Sequence, residues 1–287
     1  MPNPMKTLLP LAAGLALGTW FAKRLVPPQA RTLCPPAGQA GIRRQMEQLK
    51  REYEKQDRMR RDFTANVSHE LKTPLTSISG YAEIIREGMV KSEDVGRFAG
   101  KIYEEAQRLI TLVEDILNLS HLDEGAPGQE RRQGIDLYAL CERAVASLAE
   151  AARQRGIAIS LTGSRQRVDG AEKLLAEIIF NLCDNAIKYN QENGHVAVSV
   201  TREGDRVVLT VQDTGLGIPP GETDRVFERF SRVDKSHSKE IGGTGLGLSI
   251  VKHAAAYHDA KIQLDSQLGR GTRVRVLFPL SQKEAQP

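Results

Sequence analysis

With 287 residues the chain is long enough for one or two domains with real cores, and its many charged and few aromatic residues suit a helical signalling module or an enzyme. A net charge of only +4, with no Lys/Arg patch interleaved with aromatics, argues against nucleic acid as a partner. The three cysteines, Cys34, Cys141 and Cys183, share no metal-type spacing, and their odd number argues against a disulfide framework.

From Thr7 to Ala22 no residue is charged, and the run is rich in Leu, Ala and Gly. Trp20 and Phe21 close it, followed by Lys23, Arg24, Arg31, Arg43 and Arg44. At about 16 to 19 residues the run predicts a transmembrane anchor over 7–25. The excess of positive residues downstream places the C-terminal side in the cytoplasm. A cleaved signal peptide is the competing reading, but no convincing small-x-small cleavage site supports it. No extracytoplasmic domain is expected ahead of the run. Residues 26–41, with Pro27, Pro28, Pro35, Pro36, Gly38 and Gly41, predict a linker.

A helical pattern starts near Ile42. Positions 42, 46, 49, 53, 56, 60, 63 and 67 alternate steps of four and three, a heptad seam with polar interruptions at Gln56 and Arg60. The seam continues through Leu71, Ile78, Ala82 and Ile85 to Gly88. A second helix over about 92–122 carries the stripe Val95, Phe98, Ile102, Leu109, Leu112, Val113, Ile116 and Leu119. Two amphipathic helices cannot bury both stripes alone, so a homodimer forming a four-helix bundle is expected. Within the first helix lies Ser68-His69-Glu70-Leu71-Lys72-Thr73-Pro74. His69 is two residues from each of the seam positions Val67 and Leu71, so it points to water. A buried structural histidine is the competing reading, and the register disfavours it. Glu70 could be an ordinary solvated helix residue. Thr73 follows one turn after His69 on the same face, or stands there simply to precede Pro74. Pro74 removes a helix hydrogen bond beside the histidine.

Residues 124–133 read as a hinge. Beyond it helices are predicted over 137–155, 171–189 and 246–258, and strands over 157–161, 196–200, 207–211, 261–265 and 273–278. That is an α+β arrangement with helices on one face of a mixed sheet. Asn181, Asn185 and Lys188 form one polar stripe of the helix over 171–189, opposite Leu175, Ile178, Ile179 and Leu182. A polar face of that kind on a core helix suits Mg²⁺ and phosphate, and a solvated face is the plainer alternative. Asp213 ends a strand ahead of Gly215 and Gly217. Gly243, Thr244, Gly245, Leu246 and Gly247 open the last helix, where backbone N–H groups can cradle anions. Between the glycine clusters, Arg225, Arg229, Arg232, Lys235 and Lys239 with Val226, Phe227 and Phe230 suit a nucleotide lid. Neither a P-loop nor the signatures of Ser/Thr/Tyr kinases are present.

Taken together, the runs at 68–74, 181–189, 213–217, 227–230 and 242–248 resemble a membrane-anchored sensor histidine kinase with a Bergerat-type (GHKL) ATPase domain. The resemblance covers roughly residues 42–280. It implies an α+β chain: an antiparallel two-helix dimerisation hairpin over 42–123, then an α/β-sandwich ATP-binding domain over 134–287, behind an N-terminal membrane helix. It places the protein at the cell membrane, single-pass, with the catalytic part cytoplasmic. It implies ATP and Mg²⁺ as ligands, His69 as phosphoacceptor, Glu70 as the partner of its Nδ1–H, and Thr73 as a water-orienting group for dephosphorylation. By the same resemblance Asn185 ligates Mg²⁺, with Asn181 beside it. Lys188 and Tyr189 contact phosphate and base, Asp213 with Gly215 and Gly217 holds adenine, and Arg229 reaches the terminal phosphate. The phosphoryl group would pass to an aspartate of a response regulator receiver domain on a separate chain. Two alternatives stand beside this: a phosphatase-only or scaffold protein, and a GHKL-type ATPase that hydrolyses ATP to drive motion.

Overall fold

The computed structural model describes residues 39–123, 130–231 and 243–281. The chain divides into two compact units, Met1–Asp62 and Phe63–Pro287. The first contributes the start of helix α1, Gln39–Arg86. There the seam residues Met46, Leu49 and Tyr53 are exposed, and Asp57 pairs with Arg61 one turn on at 2.6 Å. The expected membrane location is corrected. Among the described residues no helix is long and apolar enough to cross a membrane. The run over 7–25 and most of the predicted linker lie outside the described residues.

The second unit holds the rest of α1, helix α2 (Val95–Asp123) and a mixed α/β layer. Its main sheet has five strands: β2 (Ala158–Gly163), β4 (His195–Glu203), β5 (Arg206–Asp213), β6 (Lys261–Gln267) and β7 (Gly271–Pro279). Their spatial order is β2-β4-β5-β7-β6, with β2 parallel to β4 and the other pairs antiparallel. Along β4, buried Val196, Val198 and Val200 alternate with more open residues, the pattern of a sheet covered on one face. Helices α3 (Leu137–Gln154), α4 (Glu172–Lys188) and α5 (Gly247–Tyr257) share the buried core with these strands. Asp136 caps α3 by accepting the Ala139 N–H at 3.1 Å. Cys141 and Cys183 are free thiols inside this core. Burial pushes the Cys183 thiol up to about 12.

A small antiparallel sheet, β1 (Arg132–Asp136) with β3 (Arg167–Gly170), was not expected. Each strand carries a single large apolar residue, too few for an alternating pattern. Asp169 ties the pair down by accepting the Gly134 N–H at 2.8 Å and the Ser281 hydroxyl at 2.6 Å. Helix α2 also departs from expectation. Leu112, Leu119 and Leu122 are buried in the same core as α4 and α5, so part of the stripe assigned to a dimer is covered by the chain's own α/β layer. Ile110, Val113 and Leu117 stay exposed on α2.

His258, just past α5, is fully buried. Its Nε2 accepts the Ala171 N–H at 3.0 Å, so its Nδ1 carries the proton and donates to the Ala254 carbonyl at 2.7 Å. The ring is therefore held neutral, and burial lowers its pKa from the ordinary 6.5. The unfolded chain binds this proton first as pH falls. The contribution of His258 is thus fully present above the ordinary value and is lost as pH drops through and below it. We expect the urea midpoint to fall between pH 7.5 and 5.5, and to fall less in His258→Gln. The comparison isolates this residue, because Asp115, Glu177 and Asp213 have raised pKa values and act with the opposite sign.

Candidate functional site

The α4 stripe forms as expected. Leu175, Ile178, Ile179 and Leu182 are buried, while Asn181, Asn185 and Lys188 line a cleft of about 940 Å³. Asn181 donates its Nδ2–H to the Glu177 carbonyl at 2.9 Å, which leaves its Oδ1 free to face outward. Lys188 pairs with Asp184 at 2.6 Å, and Asp184 lines the cleft too. Asp184 lies within the 181–189 run, but spacing alone did not single it out.

At the far wall Asp213 ends β5. Its Oδ1 accepts the N–H groups of Gly215 at 2.8 Å and Thr272 at 3.1 Å. Burial raises its pKa, and the two backbone donors partly offset this. The second carboxylate oxygen remains available for an exocyclic amino group. A Cβ on Gly215 would collide with the Tyr189 carbonyl, so only glycine lets this loop lie so close to the end of α4. Leu216 and Leu268, both exposed, offer apolar surface beside Gly217, suited to a flat ring.

Gly243, Thr244, Gly245 and Gly247 close the third side. A Cβ on Gly247 would come within 2.7 Å of Asn181 Oδ1, and one on Gly243 within 2.8 Å of Tyr189 Oη. The loop therefore lies flat against the polar face of α4 and leaves a cradle that any side chain would fill. Such a cradle fits phosphate, and the amide oxygen of Asn185 beside it fits a Mg²⁺ otherwise held by phosphate and water. Among the described residues no cluster of three or more His, Cys, Asp or Glu could hold a metal. Leu246 is fully buried and does not line the cleft; its N–H donates to Thr244 Oγ1 at 3.3 Å.

Other predicted residues lie elsewhere. The Arg229 guanidinium sits 5.2 Å from the centre of the Phe63 ring on α1, not on the cleft wall. Phe230 stacks at 5.8 Å on the same ring, in the left-handed region (φ 60°), with its N–H donating to the Gly245 carbonyl at 2.9 Å. Arg232, Lys235, Lys239 and Gly242 fall outside the described residues. His69 is exposed on α1 with half-buried Glu70 next to it. The Thr73 hydroxyl donates to the His69 carbonyl at 3.1 Å. His69 is not among the described residues that line the cleft. From α2, Thr111 and Asp115 also line it, which sequence reasoning missed.

Residues 170–282 match the family model of the histidine kinase-, DNA gyrase B- and HSP90-like ATPase. Residues 59–125 match that of the His kinase A phospho-acceptor domain. Over 229 residues the chain is 40% identical to the sensor-like histidine kinase SenX3 of Mycolicibacterium smegmatis, covering 79% of this chain and 59% of that protein. It is 35% identical over 237 residues to the sensor histidine kinase WalK of Bacillus subtilis, covering 81% of this chain and 39% of WalK. The chain thus spans about half the length of the curated relatives it matches. The crystal structure of histidine kinase ThkA in complex with response regulator protein TrrA is similar at a TM-score of 0.62 and 22% identity, covering 81% of this chain and 67% of that one. That likeness is one of fold. The matched ATPase model makes the α/β layer an ATP-binding domain. With both domain models matched in order and sensor kinases aligned over about four-fifths of its length, the chain belongs to the sensor histidine kinase family.

Proposed function

We propose that this chain is a histidine protein kinase that takes the γ-phosphoryl group of ATP onto His69 and passes it to an aspartate of a response regulator on a separate chain. The observation that carries the reading is the convergence of the α4 stripe, Asp213 and the glycine loop on one cleft, in a chain that also presents an exposed histidine on a helix. Asp213 would accept the adenine amino hydrogens. The N–H groups around Gly243–Gly247 would hold the phosphates, and Asn185 would hold Mg²⁺. That ion would neutralise charge on the phosphate oxygens. His69 Nε2 attacks the γ-phosphorus in line; the N–P bond forms as the bond to the β,γ-bridging oxygen breaks, and ADP leaves. Glu70 is adjacent and can keep Nδ1 protonated, so that Nε2 carries the lone pair. Since His69 is not at the cleft here, transfer within one chain requires the ATP-binding layer to move along the helices.

Exposed Leu75, Tyr103, Ile110, Val113 and Leu117 on α1 and α2 support pairing with a second copy. The family supports a response regulator as partner, and ThkA, which shares the fold, has been crystallised in complex with response regulator protein TrrA. Exposed Thr73, one turn from His69, supports a phosphatase reaction as well.

The test is to incubate the full chain with Mg²⁺ and γ-labelled ATP beside His69→Gln. We expect an acid-labile, alkali-stable label that is lost in the variant while nucleotide binding persists. Binding without label, accompanied by release of free phosphate, would instead make the protein an ATPase.

A further inference from the structure

Along α2 the residues buried against the ATP-binding layer are Leu112, Leu119 and Leu122. They step by seven and three, and the position that completes the alternation of threes and fours is 115. It holds an aspartate. One carboxylate therefore stands in an otherwise apolar stripe, and it points into the cleft. Its Oδ2 accepts the Thr244 hydroxyl at 2.7 Å. Thr244 lies between Gly243 and Gly245, in the cradle assigned to phosphate.

The surroundings do not favour a carboxylate there for stability. Lys188 attracts it, but Lys188 is already paired with Asp184. Asp184, Glu114 and Glu177 are like charges around it. Burial raises its pKa more than the Thr244 hydrogen bond lowers it. An apolar side chain would pack this stripe more favourably. The contact is made, yet it is not strongly held.

We infer that Asp115 is an intramolecular latch: its carboxylate engages the glycine loop through Thr244 where nucleotide phosphates would lie, so that docking of the ATP-binding layer on α2 and nucleotide binding oppose each other. This rests on the nucleotide reading of the cleft proposed above. Phosphates entering the cradle bring negative charge beside Asp115 and compete for the same donors. By linkage, nucleotide weakens the docked state by the factor by which docking weakens nucleotide. The docked state is also one in which His69 does not line the cleft, so release of the latch and mobilisation of the ATP-binding layer are the same event.

The experiment uses the full chain as wild type, Asp115→Ala, Asp115→Ser and Asn185→Ala; two replacements at 115 guard against one failing to fold. Amide hydrogen exchange over 243–248 without nucleotide reads the latch, and ADP titration with and without Mg²⁺ reads the competition. Faster exchange is expected in the 115 variants. With the latch closed in ~90% of molecules, opening it tightens ADP about tenfold, with or without Mg²⁺. Unchanged exchange, or unchanged or weaker ADP affinity, overturns the latch. Weakening confined to Mg²⁺ overturns it too, by making Asp115 part of a metal site. Mg-ADP affinity within threefold of wild type in Asn185→Ala overturns the reading of the cleft itself, a result separate from the other two.

Discussion

Asn185→Ala is expected to weaken Mg-nucleotide binding by roughly two orders of magnitude, about 3 kcal/mol, with the fold intact. Asn185 lies on the cleft side of α4, away from the core face built by Leu175, Ile178 and Ile179, so its loss leaves no buried cavity. What is lost is an amide oxygen aimed beside the glycine cradle. A metal held largely by phosphate and water tolerates few missing protein ligands. Titration with Mg-ADP, alongside circular dichroism, measures the effect. An affinity within threefold of wild type would take Asn185 out of the site.

Leu175→Ala should cost about 2–5 kcal/mol of stability, the range for a large-to-small change in a packed core. Leu175 is fully buried on the face of α4 turned away from the nucleotide stripe. Its first-turn N–H bonds the Ala171 carbonyl, so the backbone is fixed and cannot collapse easily into the gap. Lys252→Ala on the exposed side of α5 should stay within about 0.5 kcal/mol. Urea unfolding of both variants gives the comparison. Equal midpoints would mean that α4 does not pack in solution as it does here.

The α4 stripe was legible because its polar and apolar faces obey the helical period over several turns. The strands β4 and β7 were legible for the same kind of reason, with period two, and β5 as a short run of β-branched and apolar residues after a Gly-Asp turn. The β1–β3 pair was not, because Asp169 and its hydrogen bonds define it rather than any apolar pattern. Arg229 was expected at phosphate and instead rests on Phe63; composition reveals a cationic segment but not which partner each cation finds. Asp115 was missed for a more instructive reason. Heptad spacing shows that a stripe is buried without showing against what. Leu112, Ile116 and Leu119 were assigned to a second copy, and a charge beside them carried no meaning until the glycine loop was seen opposite it. The membrane assignment rested on residues 7–25 alone, and no described helix supports it.

The strand order β2-β4-β5-β7-β6 has a consequence for how the domain is made. Central strand β5 pairs on one side with β4, its immediate predecessor, and on the other with β7, which follows only after the glycine loop, α5 and β6. On a ribosome, the hairpin of β4 and β5 can form early while one edge of β5 stays bare. Its long-range pairing must wait until residues 271–279 have been made, and non-local pairing of this kind is intrinsically slow. Until then the row Val207, Val208 and Leu209 presents an unpaired, apolar edge to other nascent chains.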